Sequence, residues 1–310
     1  MYEVDVIIPT LNRLQLLKRA ISSVAAQTYP HWKIIVVDDG STEPVAEYIE
    51  KLGSPRVRCI RHDRNLGACA ARNTGMDAAT GDWIAFLDSD DTWEPRKLEA
   101  QVSVVKSGPP DLVGVYCAIE FVTSTRRFVR RPSARGHIFR DLMENGIQAI
   151  TGTSSYMVKR NLGDVKVRFD EQLPCYQDLD FMIRLSQYGQ IDFVDEVLVK
   201  ADQGHGGPSI TSEFGSDYLT RIAALERAIT NGISANPLDE KASRLGYLYL
   251  VQRALEVGDF RRARGYLSRA RQVARFSPDV LMLTFASLLG RRALAVGVRF
   301  RKRFLQTPTR

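Results

Sequence analysis

The sequence predicts an α/β fold in which helices flank a mostly parallel central sheet. Within the first hundred residues, short apolar segments typical of buried strands alternate four times with segments whose apolar residues recur at helical spacing. Strand–helix units of this length predict a doubly wound sheet with right-handed crossovers. Beyond about residue 215 the pattern is wholly helical, which predicts an all-helical C-terminal extension.

The first hundred residues supply four predicted strand–helix pairs. Strands are expected at 5–9, 33–37, 57–61 and 83–87, and helices at 13–27, 43–52, 69–79 and 95–106. The first helix shows the spacing most clearly, in Leu14, Leu17, Ile21 and Val24. The last has Pro95 at its first turn, where proline is well tolerated.

The middle of the chain is less regular. Further strands are expected at 112–118, 120–129, 154–158 and 191–199, with a helix at 177–188. A glycine-rich loop at 204–208 is expected to end the sheet region. We therefore predict two regions, a sheet domain over 1–212 and a helical region over 213–310 that ends in a basic amphipathic tail.

Charge is distributed unevenly along the 310 residues. The whole chain carries +7, but residues 253–310 alone carry +11, which leaves the remainder at −4. Such a basic tail suits an anionic partner, either membrane lipid or nucleic acid, and a solvated helix face is the alternative. The apolar stretch at 280–289 beside these cations suits a helix that lies on an anionic membrane, and it equally suits a final helix that packs its apolar side on the domain and solvates its arginines.

The sequence predicts a cytoplasmic protein. No run of 18 apolar residues offers a membrane-spanning helix, and the first residues lack the pattern of a signal peptide. The four cysteines are widely spaced and form no CxxC pair, which fits a reducing compartment and excludes a cysteine zinc site.

Polar residues follow each of the first four predicted strands. The four segments are Pro9–Arg13, Asp38–Ser41, His62–Gly67 and Asp88–Asp91. Ligands of open parallel sheets bind at the carboxyl ends of the strands, so these segments are expected to form one site. The first of them contains no glycine, which excludes a dinucleotide fingerprint, and the chain has no P-loop motif.

Three aspartates in the run Asp88–Asp91 predict a divalent cation. Carboxylates this close repel one another unless a cation neutralises them, and oxygen ligands suit Mg²⁺ or Mn²⁺. One alternative is an acidic turn that caps the following helix. Another is a phosphatase of the haloacid dehalogenase type with Asp88 as nucleophile, although that motif belongs on a first strand and here three strand–helix units precede it.

Five motifs in order resemble the family 2 inverting glycosyltransferases, over roughly residues 4–210. The motifs are Val6–Arg13, Ile35–Ser41, Asn65–Ala68 with Ala71–Asn73, Phe86–Asp91, and a later group made of Lys159–Arg160, Phe169–Glu171 and Gln177–Leu185. The resemblance implies a Rossmann-like GT-A fold for 1–212 and sugar transfer from a nucleoside-diphosphate sugar, uridine diphosphate (UDP) being the expected carrier. It implies a hydroxyl acceptor, a glycan or a lipid-linked glycan, and a role in cell-surface polysaccharide or glycolipid synthesis. No nucleic-acid partner is then expected, and membrane contact would be at the cytoplasmic face.

The resemblance also implies roles for individual residues. The nucleotide-sugar site would contain Pro9, Thr10, Asn12, Arg13, Asp39, Asn65, Gly67, Arg72, Asp88 and Ser89. Asp39 would bind the base, and Asp90 would hold Mn²⁺ or Mg²⁺, with Asp88 and His205 as further candidate ligands. We expect His62 and Arg64 to lie at the surface. A non-catalytic protein that works through its basic tail is the alternative outside the enzymes.

Asp178 is the expected catalytic base. It matches the second residue of the family's Glu–Asp pair, in which Gln177 replaces the glutamate. Inversion needs a single base for the incoming hydroxyl, and Asp178 and Asp180, two positions apart on a predicted helix, cannot share a face. Alternatively, either aspartate is an acidic residue at the start of the helix whose negative charge interacts favourably with the helix dipole.

Overall fold

Four strand–helix units occupy the first hundred residues, as predicted. The computed structural model describes residues 1–203, 217–290, 293–294 and 296–298. The elements of this part are β1 (Val4–Thr10), α1 (Leu14–Ala25), β2 (Trp32–Asp38), α2 (Val45–Leu52), β3 (Val57–Arg61), α3 (Ala68–Ala78), β4 (Trp83–Phe86), β5 (Thr92–Trp93) and α4 (Lys97–Ser107). All residues of β1 and β4 are buried, as the continuous apolar runs predict.

The middle of the chain differs from the prediction in three places. It contains β6 (Leu112–Val122), β7 (Arg127–Arg130), α5 (Phe139–Asn145), two short 3₁₀ turns at Gly146–Gln148 and Thr153–Ser155, β8 (Met157–Lys159), α6 (Gln177–Leu185) and β9 (Gln190–Asp202). The strand expected at 120–129 is broken by a turn, because the amide and hydroxyl of Thr123 both donate to the carbonyl of Arg126. The strand expected at 154–158 begins only at Met157, and helix α5 has no counterpart in the prediction.

The strands form one mixed sheet in the order β3-β2-β1-β4-β8-β6-β9-β5, with β7 paired to β6. β1 to β4 are mutually parallel, and β8 is antiparallel to both β4 and β6. β6 and β9 therefore run in the same direction as β1 to β4. The carboxyl ends of β1 to β4, β6 and β9 therefore lie at one edge of the sheet, where the polar segments were expected.

Helices cover both faces of the sheet. Alternate residues of β1 enter two hydrophobic clusters, Ile7 in one and Ile8 in the other. The Ile7 cluster includes residues of α3 and α6, and the Ile8 cluster includes residues of α1 and α4. This arrangement is the α/β architecture that the strand and helix patterns predict.

The helical C-terminal part consists, in the described residues, of α7 (Tyr218–Ala235), α8 (Glu240–Glu256), α9 (Phe260–Val273) and α10 (Pro278–Leu288). α7 packs against α6 and α8 packs against α5, so these helices belong to the same core as the sheet. The boundary proposed at 212 falls outside the described residues and stays a prediction. No described helix is long and apolar enough to cross a bilayer.

Candidate active site

The loops after β1 and β2 form one wall of the candidate site. The amide of Asn12 donates to Ser41 Oγ at 2.9 Å, and Asn12 Oδ1 accepts from the amide of Thr42 at 2.8 Å. Asn12 has a φ of 52°, a left-handed conformation that asparagine tolerates better than most residues. Glu43 Oε2 accepts from the amide of Leu14 at 2.7 Å, so the second loop also satisfies the start of α1.

Asp39 is buried at the centre of this wall. Its Oδ1 accepts from the amide of Leu66 at 2.9 Å and contacts His62 Nδ1 at 2.7 Å, and its Oδ2 accepts from the amide of Gly67 at 2.8 Å. Each carboxylate oxygen has about two acceptor positions, so Oδ2 retains one that no hydrogen bond within the described residues fills. Gly67 has a φ of 94°, and its amide also donates to Asn65 Oδ1.

The surface position expected for His62 is wrong, whereas Arg64 is exposed as predicted. Only 10% of the His62 side chain is accessible, because the ring bridges Asp39 and Thr74, with Nε2 at 2.9 Å from Thr74 Oγ1. A single histidine in a polar segment gives no sign of these two partners. They lie 23 and 12 residues away in the sequence.

Two arginines lie against the acidic run. Arg13 pairs with Asp90 at 2.7 Å, and Arg72 pairs with Asp88 at 2.6 Å. Asp91 is buried, which together with the charges of Asp88 and Asp90 holds its pKa well above the usual range. Arg13 and Arg72 therefore offset part of the repulsion that predicted a metal.

The donor set of the acidic run fits a metal that is shared with a phosphate ligand. No group of three or more His, Cys, Asp or Glu residues that could hold a metal ion occurs in the described residues. Mg²⁺ usually takes one or two protein carboxylates and completes its shell with water and substrate phosphates. Asp88 and Asp90 match that requirement. His205, the third candidate ligand, lies outside the described residues.

Arg72 links the acidic run to α6. Its Nη2 donates to Asp88, its Nη1 donates to Gln177 Oε1 at 3.1 Å, and the guanidinium lies 5.2 Å from the Phe169 ring centroid. Burial lowers the pKa of Arg72, but the charges of Asp88, Cys69 and Asp178 and the hydrogen bond to Asp88 together outweigh it, so the pKa is raised. Because Gln177 is neutral, it does not cancel the positive charge as the family's glutamate would.

Several buried polar atoms of this site lack a hydrogen-bond partner among the described residues. They are Thr10 Oγ1, Arg72 Nε and Tyr156 Oη. Buried polar groups are nearly always paired in folded proteins, so each of these atoms still requires a partner, either water or a ligand. Pro9 is buried in β1, and Ser89 is buried within the acidic run.

Asp178 and Asp180 have different environments. Asp180 is fully buried, pairs with Arg184 and accepts from Asn231 Nδ2 at 2.8 Å, so it joins α6 to α7. Asp178 is half-buried, and its Oδ1 accepts from the amide of Leu179 at 2.9 Å. Burial raises its pKa, and the charges of Arg130 and Arg72 oppose that effect. Only Asp178 remains available to a substrate.

Ser154 is a site residue that the sequence does not reveal. Its Oγ accepts from the amide of Asp88 at 3.0 Å and donates to Asp91 Oδ2 at 2.5 Å. Trp93 Nε1 donates to the Ser154 carbonyl at 2.8 Å and fixes the same turn. The serine lies 66 residues from Asp88, and no local pattern marks it.

The sequence of the chain is similar to those of known glycosyl transferases. Residues 5–162 match the family described as glycosyl transferase family 2. A protein of Escherichia coli (strain K12) named as a colanic acid biosynthesis glycosyl transferase, WcaA, is 33% identical over 224 residues, which cover 67% of this chain and 75% of that protein.

Two solved structures share the fold. S. aureus TarS 1–349 in complex with UDP-GlcNAc has a TM-score of 0.71 at 15% identity and covers 97% of this chain and 92% of that one. The mannosyltransferase PcManGT from Pyrobaculum calidifontis, in complex with GDP-Man and Mn²⁺, has a TM-score of 0.57 at 18% identity, over 96% and 84% of the two chains. These likenesses confirm the expected GT-A fold. Because the family match spans half of the chain and includes β1 to β4 with their polar ends, the chain belongs to glycosyl transferase family 2.

Proposed function

We propose that the chain is an inverting, metal-dependent glycosyltransferase that moves a sugar from a UDP-sugar to a hydroxyl acceptor. One observation carries this proposal: the half-buried carboxylate Asp178, close enough to Arg72 to feel its charge, lies at the same sheet edge as the acidic run. Such an arrangement supplies both a base and charge stabilisation for a leaving diphosphate.

The wall formed by the loops after β1 and β2 suits a nucleoside. The acceptor position left on Asp39 Oδ2 fits the N3–H of uracil, and the hydroxyl of Thr10 next to it lacks a partner among the described residues. TarS, which shares the fold, is described with UDP-GlcNAc. These features favour a uridine nucleotide, with Asn12, Arg13, Asn65 and Gly67 completing the pocket.

Asp90 and Asp88 are the residues that would hold Mn²⁺ or Mg²⁺. When bound, the metal would stabilise the negative charge that develops on the departing diphosphate. Arg72, which pairs with Asp88 and has an Nε–H without a hydrogen-bond partner among the described residues, adds positive charge at the same place. PcManGT, described with Mn²⁺, is consistent with such a site in this fold.

Asp178 would take the proton of the acceptor hydroxyl while the nucleoside diphosphate leaves from the opposite face of the sugar. A raised pKa makes its carboxylate a stronger base, and general-base catalysis contributes about 10²–10⁴-fold in rate. The family assignment gives the phosphatase alternative no support.

We further propose that the enzyme acts in cell-surface polysaccharide or glycolipid synthesis, on a glycan or lipid-linked glycan at the cytoplasmic face of the membrane. WcaA is named for colanic acid synthesis. The last described helix, α10, exposes Leu281, Phe285 and Leu288, which share one face at intervals of four and three residues. An exposed apolar stripe that precedes a basic tail suits peripheral binding to anionic lipid.

A donor screen tests the proposed activity. The purified chain is incubated with UDP-sugars and GDP-sugars, with and without Mn²⁺, and release of the nucleoside diphosphate is measured. We expect slow, Mn²⁺-dependent release of UDP from at least one UDP-sugar. Release of inorganic phosphate from small phosphate esters, with no nucleotide-sugar hydrolysis, would contradict the proposal.

A further inference from the structure

The β6–β7 hairpin projects from the edge of the sheet that carries the active site. β6 runs parallel to β9 and in the same direction as β4, so its carboxyl end at Val122 lies at that edge. The turn is fixed because the amide and hydroxyl of Thr123 donate to the carbonyl of Arg126, and the amide of Arg126 donates back to Thr123 Oγ1 at 3.0 Å. The hairpin is therefore an ordered part of the rim.

One face of the hairpin combines two phenylalanines and two arginines, and we call it the arginine–phenylalanine face. Phe121 and Phe128 stack with ring centroids 5.0 Å apart. The guanidinium of Arg126 lies 5.0 Å from the Phe128 centroid, and that of Arg130 lies 5.1 Å from the Phe121 centroid. Arg127 alternates with Phe128 along β7 and is exposed on the other face.

This face connects directly to the reaction centre. Arg130 Nη1 donates to the carbonyl of Thr151 at 3.2 Å, three residues before Ser154, which holds Asp88 and Asp91. Arg130 is also close enough to lower the pKa of Asp178 against the effect of burial. Tyr156, whose buried hydroxyl lacks a described partner, is near enough to feel the charges of both Arg130 and Asp178.

The two arginines of this face differ from those farther along the chain in their acidic partners. No described carboxylate pairs with Arg126 or Arg130, but Arg131 pairs with Asp195 at 2.8 Å and Arg135 pairs with Asp192 at 3.1 Å. Guanidinium groups that stack on aromatic rings keep their N–H donors available in the plane of the group. They bind phosphate through two parallel hydrogen bonds.

We propose that the arginine–phenylalanine face is the acceptor subsite and that it binds a phosphate group carried by the acceptor. The phosphate would be held at the rim by Arg126 and Arg130, while the hydroxyl to be glycosylated reaches Asp178 behind them. This inference rests on the proposed function in the assignment of Asp178 as base. Two sources share the chemistry: a polyprenyl diphosphate linked to a glycan, and a phosphodiester within a glycan.

Calorimetry with small phosphate probes tests the subsite without knowledge of the acceptor. The full chain is titrated with geranyl diphosphate, with a glycerol phosphate oligomer and with uncharged geraniol, each with and without saturating UDP. The variant is Arg126→Gln, and the matched control is Arg127→Gln, which makes the same charge change at the neighbouring residue on the other face. Arg130→Gln is a second variant, with its melting temperature measured because Arg130 also bonds Thr151.

We expect wild type and Arg127→Gln to bind at least one phosphate probe equally and in the presence of UDP. Arg126→Gln should bind roughly tenfold more weakly, the change expected for one charge-assisted hydrogen bond. Geranyl diphosphate as the better probe would indicate a lipid carrier, and the oligomer would indicate a phosphodiester glycan.

If Arg126→Gln and Arg127→Gln weaken binding of the phosphate probes equally, the probes respond only to the overall positive charge of the hairpin. That result would overturn the subsite. Binding of UDP without binding of either phosphate probe would overturn the subsite and leave the proposed function standing. Probe binding that depends on Arg126, in a protein that does not bind UDP, would support the subsite and contradict the proposed function.

Discussion

At the scale of single residues, the two aspartates of α6 have separate roles. Asp178→Asn keeps the shape of the side chain and removes its ability to accept a proton, so transfer should fall by about 10²–10⁴-fold while donor binding persists. Asp180→Asn should instead lower the melting temperature, because it breaks the buried pair with Arg184. Steady-state kinetics of both variants measure the rate of transfer, and thermal melts measure the change in melting temperature. Near wild-type turnover in Asp178→Asn would assign the base elsewhere.

Gln177 sets the charge around the base, which gives a pH dependence. A new carboxylate in Gln177→Glu would disfavour the charged form of its neighbour Asp178 and would raise a pKa that burial already raises. Because the base acts when deprotonated, the acidic limb of the kcat/KM profile should move to higher pH. Gln177→Met, which is neutral, is the control, and its limb should stay in place. A shift of the Gln177→Glu limb to lower pH would contradict the assigned base.

Residue types and their order predicted the acidic run, Asp39, Arg72 and Asp178 as site candidates. The sequence did not predict what balances their charges. Arg13 reaches Asp90 across 77 residues, and Arg72 reaches Asp88 only because α3 packs on β1, the neighbour of β4 in the sheet. The inward position of His62 likewise depends on tertiary partners, which no local pattern records.

At the scale of elements, the 3₁₀ turn at Thr153–Ser155 supports the acidic run. Ser154→Ala removes the acceptor of the Asp88 amide and should cost about 1–3 kcal/mol of unfolding free energy. It should also weaken Mn²⁺-dependent UDP binding, because the run is no longer fixed. Ser155→Ala is the matched control. The hydroxyl of Ser155 bonds Gly152 and Thr151 and not the acidic run, so this variant should lose stability but keep Mn²⁺-dependent UDP binding. Equal UDP affinity in both variants would contradict this role.

Element positions were predictable where periodicity was strong and not where short contacts decide. β1 to β4 and α1 to α4 follow the apolar patterns closely. The break between β6 and β7 depends on the hydroxyl of Thr123, and β5 is only two residues long and exists through its pairing with β9. The apolar pattern at 120–129 continues through the turn and therefore predicted one strand.

At the scale of the whole molecule, the C-terminal helices share the core of the catalytic sheet and expose an apolar face outward. Replacing Leu281, Phe285 and Leu288 together by serine should abolish flotation with anionic liposomes. Each apolar side chain that enters the membrane contributes roughly 1.5–3 kcal/mol to the free energy of binding. The melting temperature should change little because these side chains are exposed. Leu219→Ser with Leu238→Ser, exposed elsewhere, is the control. Equal flotation of all forms, or no preference for anionic lipid, would leave the helix without a membrane role.

The central claim is that the acidic run holds a metal and a nucleoside diphosphate together at the carboxyl edge of the sheet. Calorimetry of UDP binding with and without Mn²⁺, on wild type and on Asp90→Asn, tests it most directly. We predict that Mn²⁺ strengthens UDP binding to the wild type, and that Asp90→Asn keeps its fold but loses this Mn²⁺ dependence. UDP binding that is absent from the wild type, or that responds equally to Mn²⁺ in Asp90→Asn, would contradict the account.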